Sequence, residues 1–162
     1  MKKLLKFENK GFSLVELIIV VAIVAVLGGV ALTGMSLLTS RPVDECAKKL
    51  QVALEGSRST TMGKYSGYLE FTADSNGVYV KEYINGVANG DKVKIGKSGV
   101  TVSAATTSGS VTFGATPYKV EFDRADGSLV TPADGPITIT VSNGSRTIIV
   151  TVDRLTGRVD LE

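Results

Sequence analysis

The chain has 162 residues, a formal charge of +2, one cysteine and neither histidine nor tryptophan. A single thiol excludes a disulfide within the chain, and the missing imidazole removes histidine-dependent triads and leaves a lone cysteine a poor nucleophile. The small net charge gives no general attraction for nucleic acid, and no stretch matches a phosphate loop or a zinc site.

The first forty residues are the most informative. Lys2, Lys3, Lys6 and Lys10 stand against one acid, Glu8, a bias that keeps this leader on the cytoplasmic side of a membrane. Residues 17–38 contain no charged side chain. Roughly 22 residues rising about 1.5 Å each are long enough to cross a hydrocarbon core. A secretory signal places its small-residue cleavage site after the apolar stretch. Here the distinctive junction, Gly11-Phe12, comes before it, and Ser13-Leu14-Val15-Glu16 follows. The carboxylate of Glu16 would cost about 3 kcal/mol inside a membrane helix unless it found a partner. Gly28, Gly29 and Gly34 interrupt the run. They either loosen the helix, since glycine costs about 1 kcal/mol relative to alanine in a helix interior, or allow close helix packing.

Ser40-Arg41-Pro42 predicts a bend or a restart, because proline removes a helical hydrogen bond and restricts its predecessor. Helical periodicity resumes with Val43, Cys46, Leu50, Leu54 and Ser57 at steps of three and four, while Asp44, Glu45, Lys48, Lys49, Glu55 and Arg58 fall elsewhere. This amphipathic helix, ending near residues 60–63, needs a sheet to cover its apolar face. Cys46 on that face reads as a small buried hydrophobe.

From residue 64 the pattern changes to short runs of valine, isoleucine, threonine and tyrosine between glycine, asparagine and aspartate turns. Residues 65–72 and 78–84 flank Asp74-Ser75-Asn76-Gly77 as one hairpin. Residues 118–122 and 128–130 flank Arg124-Ala125-Asp126-Gly127 as a second. The clearest pair is 137–141 with 146–152 around Ser142-Asn143-Gly144-Ser145, where Ile137, Ile139 and Val141 alternate with threonines. Residues 86–114, rich in serine, threonine and glycine, predict irregular strands and mobile loops. The aspartates at 74, 123 and 126 could begin an oxygen site for calcium, but hairpin turns favour the same residues, and Asn143-Gly144-Ser145 has turn chemistry as well as the form of a glycosylation sequon.

Gly11-Phe12-Ser13-Leu14-Val15-Glu16 after a basic leader resembles the type IV pilin and pseudopilin superfamily at every position of its prepilin junction. The resemblance implies an α+β pilin-like fold: a long N-terminal α-helix, half membrane-spanning and half amphipathic, packed on a C-terminal antiparallel β-sheet domain. It divides the chain into a leader peptide (1–11), a transmembrane and assembly helix (12–40), an amphipathic helix (41–63) and a globular β-sheet domain (64–162). It also implies cleavage by a prepilin peptidase between Gly11 and Phe12 and N-methylation of Phe12. Glu16 would then pair with the new amine, in its own helix or on a neighbouring subunit, and align subunits as they assemble. Many relatives carry a proline where this span has Gly28, Gly29 and Gly34.

A second, weaker resemblance covers residues 118–160. Val120-Glu121-Phe122, Asp126-Gly127 and Thr156-Gly157-Arg158-Val159 look like the H-type minor pseudopilins, implying a minor subunit at or near a filament tip. Removing residues 1–11 takes away four lysines and one glutamate, leaving a charge near −1. Arg146, Arg154 and Arg158 are offset by Asp153, Asp160 and Glu162, so nucleic acid is not an expected partner.

The sequence therefore reads as a non-enzymatic structural subunit of a type IV pilus-like filament, a minor pilin or pseudopilin, with major pilin as the alternative. Its expected partners are other pilins through the N-terminal helices, the prepilin peptidase and an inner-membrane assembly platform; no cofactor or metal is expected. The precursor would sit in the bacterial cytoplasmic membrane with its C-terminal domain outside, and the assembled subunit at the cell surface. From another class, a membrane-tethered binding module, adhesin or DNA receptor, would use the same export route without assembling.

Overall fold

The structure, a computed structural model, describes residues 13–63 and 65–162, and for residues 27–40 the backbone alone. It divides into two units, one through Leu37 and one from Leu38. Helix α1 comprises Leu14–Thr61 and is followed by eleven strands among the described residues.

In the first unit the helix starts where local chemistry favours it. Ser13 caps it: the Val15 N–H donates to Ser13 Oγ (3.3 Å) and the Leu17 N–H to the Ser13 carbonyl (3.1 Å). Ser13-Leu14-Val15-Glu16 also has the spacing of a capping box, with a carboxylate in the first turn, where the helix dipole favours negative charge. The break expected at Ser40-Arg41-Pro42 does not occur, because Pro42 lies inside α1. A helix-interior proline costs about 3 kcal/mol. Directly after it Val43, Cys46, Ala47, Leu50 and Leu54 are completely buried, and large aliphatic side chains each contribute about 1.5–3 kcal/mol on full burial. Packing thus outweighs the proline.

The second unit covers that face with two antiparallel sheets. The first contains β1 (Gly67–Asp74), β2 (Gly77–Ile84), β3 (Val87–Ala88), β4 (Val93–Lys97), β7 (Tyr118–Phe122) and β8 (Leu129–Thr131), in the order β3-β2-β1-β7-β8 with β4 also on β2. The second contains β5 (Thr101–Thr106), β6 (Gly109–Thr112), β9 (Ile137–Ser142), β10 (Thr147–Val152) and β11 (Val159–Leu161), in the order β11-β10-β9-β5-β6. Alternation explains the inward faces. In β9 the side chains of Ile137, Ile139 and Val141 are buried and the threonines between them half-buried, as a strand with one covered face requires. Phe113 stacks between Phe71 and Tyr118, with ring centroids 5.5 and 5.1 Å apart.

All three expected hairpins form, although β1 begins at Gly67 rather than residue 65. The irregular region expected at 86–114 is instead regular: it supplies β3 to β6, and β5 lies inside the second sheet between β9 and β6. Val102 and Ala104 face the core there, so position between neighbours, rather than side-chain bulk, holds β5.

Candidate functional site

Gly11 and Phe12 lie outside the described residues. Glu16 does not: it stands exposed in the first turn of α1, two residues after the helix begins at Leu14. Around it the helix is apolar on every side. From Leu14 to Val26 each large hydrophobic side chain is exposed, from 49 % at Val20 to 73 % at Leu14. A helix apolar all round belongs in a core or a membrane, and no residue of this unit covers it. Gly28, Gly29 and Gly34 lie within the helical backbone of α1. Among the described residues no helix is long and apolar enough to cross a membrane; part of the expected span falls in residues 27–40, beyond the described side chains.

The globular unit has its own points of interest. Burial pushes the Cys46 thiol up to about 11, and the side chain is completely enclosed. The turn aspartates bind backbone amides: Asp74 Oδ1 accepts from Asn76 N–H (2.8 Å) and Gly77 N–H (3.1 Å), Asp123 Oδ1 from Ala125 N–H (2.6 Å), and Asp126 Oδ1 from Ser128 N–H (2.8 Å). Of the C-terminal arginines, Arg146 binds Asp44 of α1 (2.8 Å) and Arg158 binds Asp160 (2.8 Å). On the outer face of the first sheet Tyr68 and Tyr83 stack at 4.7 Å, with Lys119 over Tyr68 and Lys81 over Tyr83. These ring faces are used within the sheet.

The structure also brings together residues that sequence reasoning did not connect. The β7–β8 and β10–β11 turns are built alike. Asp123 N–H donates to the Ser128 carbonyl and Gly127 N–H to the Asp123 carbonyl; Asp153 N–H donates to the Arg158 carbonyl and Gly157 N–H to the Asp153 carbonyl. Gly127 and Gly157 have φ of 71° and 62°. The turns pack together at the end of α1, where Arg58 Nε donates to the Gly127 carbonyl (3.2 Å), Gly63 N–H to the Arg124 carbonyl (2.9 Å) and Leu129 N–H to the Arg154 carbonyl (2.9 Å). The signal was present as a repeat of Asp-Arg-x-x-Gly at 123–127 and 153–157.

The family described as the prokaryotic N-terminal methylation motif matches residues 7–32, which include the junction, Glu16 and the exposed apolar turns. The chain carries that motif at its N-terminal end. Its fold is similar to crystal structures of the type IV minor pilin FimU from Pseudomonas aeruginosa in two crystal forms. One is 17 % identical, covering 74 % of this chain and 91 % of FimU; the other is 21 % identical, covering 77 % and 92 %; the TM-score is 0.50 in both cases. No curated protein sequence matches the chain. At these identities the likeness is one of fold, and the pilin-like α+β architecture expected from the sequence is the one found.

Proposed function

We propose that this pilin-like chain is a structural, non-enzymatic subunit of a type IV pilus-like filament, of the minor pilin kind. Its leader (1–11) is removed by a prepilin peptidase between Gly11 and Phe12, Phe12 is N-methylated, and residues 12–40 anchor the subunit in the membrane before assembly. The observation that carries this reading is the apolar, exposed helix of Leu14–Val26, headed by the Ser13 cap and Glu16 inside the matched motif. Such a helix requires lipid first and neighbouring helices afterwards, and a single carboxylate near its start suits pairing with a neighbour's terminal amine. Gly28, Gly29 and Gly34 would give the helix freedom to adjust between these surroundings. Residues 41–63 and 64–162 form the part displayed outside, and other pilins and the inner-membrane assembly platform are the partners.

Peptide mass spectrometry on sheared surface filaments tests this. An N-methylated Phe12 terminus is the expected result, with trace abundance for a minor subunit and high abundance for a major one. Glu16→Ala is expected to leave cleavage intact and reduce incorporation at least tenfold. A chain absent from filaments that keeps Met1 or Lys2 in the membrane fraction refutes the assembly reading.

A further inference from the structure

A groove of about 600 Å³ opens between α1 and the inward face of the first sheet. Three features of its lining are left unexplained by the packing of the unit itself. Val52 on α1 and Val93 on β4 remain 68 % and 60 % exposed, although apolar. Ser57 lines the groove and is only 2 % exposed, yet its hydroxyl has no hydrogen-bond partner, which costs stability unless another molecule satisfies the group. On β2, Glu82 continues the inward row of Val78 and Val80, because its register partner is the buried Leu69. A carboxylate thus stands where alternation calls for an apolar residue; it accepts from Asn89 Nδ2 (2.7 Å) and forms no ion pair among the described residues.

The groove has a direction. Cys46 lies against Gly96, which pairs with Val78, and Thr61 lies against Gly67, which pairs with Ile84, so α1 runs alongside β2 in the same sense. Lys48 and Lys49 of the helix and Lys94 of β4 therefore gather at one end. Lys49 is paired with Glu45 (2.8 Å), whereas Lys48 and Lys94 form no ion pair among the described residues. Ser57 and Glu82 stand at the other end. Asp91 joins them, because β4 is antiparallel to β2 and Val93 lies opposite Val80; like Glu82, it forms no ion pair among the described residues.

We propose that the groove receives a segment of a different pilin subunit, with an apolar side chain between Val52 and Val93 and a lysine or arginine directed at Glu82, Asp91 and the Ser57 hydroxyl. A cation suits that end twice over: it meets two carboxylates, and its N–H groups can donate to the otherwise unsatisfied Ser57 Oγ. The reverse orientation would set the cation against Lys48, Lys49 and Lys94. A subunit present in trace amounts has other pilins as its neighbours, so the occupant is a different chain and the contact ends with it. The proposal rests on the filament reading and specifies one contact within it.

The test uses the full chain in its native host with photoreactive benzoylphenylalanine in place of Val93. Irradiated filaments are expected to give one covalent adduct with a different pilin, joined at a peptide in which lysine or arginine adjoins apolar residues, as mass spectrometry would read. Per subunit incorporated, Glu82→Lys should reduce that adduct at least tenfold. An adduct unchanged by Glu82→Lys marks random collision and overturns the docking, as does an adduct between two copies of this chain. Filaments that contain the photoreactive chain yet give no adduct also overturn it, and leave the filament reading standing. Absence of the wild-type chain from filaments overturns both. Independently, Ser57→Ala is expected to keep or raise the unfolding midpoint, since it removes an unsatisfied buried hydroxyl, and to lower incorporation at least threefold. A lowered midpoint would show that the hydroxyl serves the fold, and unchanged incorporation would show that no partner uses it; either result overturns its role in the groove.

Discussion

The Cys46 thiol lies where the apolar face of α1 meets β4, and a side chain on Gly96 would approach its sulfur to 2.9 Å. Desolvation is the main reason its pKa rises from 9.0 to about 11. Since the folded state holds this proton more tightly than the unfolded chain, the corresponding stability is complete below about pH 9 and is lost as pH rises toward 11, on the order of 2 kcal/mol. Urea unfolding at pH 8 and pH 11 checks this against a Cys46→Ala variant, whose alkaline loss should be smaller. The folded thiol should also resist maleimide at pH 8 and react once the chain is unfolded. Gly157 is constrained from two directions. Its φ of 62° is strained for any other residue, and a Cβ there would collide with the Gly127 carbonyl and the Arg58 side chain. Gly157→Ala is expected to cost at least about 2 kcal/mol, measured as a lower unfolding midpoint, whereas Gly144→Ala, with open space around it, meets the backbone strain alone.

At the scale of elements, the two Asp-Arg-x-x-Gly turns depend on their first aspartate. Asp153 Oδ1 accepts from the N–H of Leu155 and from both the N–H and hydroxyl of Thr156. The Thr156 donors are the main cause holding its carboxyl below the ordinary range. A depressed pKa contributes stability that is present above the unfolded value and lost as pH falls through the folded one. Asp153→Ala should therefore be less stable than wild type at neutral pH and lose less on acidification below about pH 4, as an acid titration followed by circular dichroism would record. The hairpins were legible because two signals coincide in each: alternation along the strands and turn residues between them. Residues 86–114 carried neither. β6 is exposed throughout and β5 presents only Val102 and Ala104 inward, so their strand character comes from neighbours distant in sequence. Pro42 misled for a similar reason, because its local cost was visible and the burial offsetting it was not.

At the scale of the whole molecule, every buried hydrophobic residue among those described belongs to the unit beginning at Leu38. A chain starting at Arg41 is expected to fold as a monomer with the native near-ultraviolet spectrum; an aggregated or unfolded product would show that the N-terminal helix is needed for folding as well as for assembly. The candidate site divides in the same way. The proposed cleavage and assembly residues, Gly11, Phe12 and Glu16, lie within six residues of one another, so a local motif is enough to suggest them. The groove takes its walls from α1, β1, β2 and β4, a relation no local pattern contains. The joint at the end of α1 has a consequence for how this unit comes apart. Arg58 of the helix and the turn carrying Gly157 both converge on the Gly127 carbonyl of the first sheet, while Leu129 of that sheet donates to Arg154 of the second. Detaching either sheet strands hydrogen-bonding groups of the other and of the helix end. Intermediates with one sheet intact are thereby disfavoured, and the unit is expected to melt in a single cooperative transition, with near- and far-ultraviolet circular dichroism giving the same midpoint.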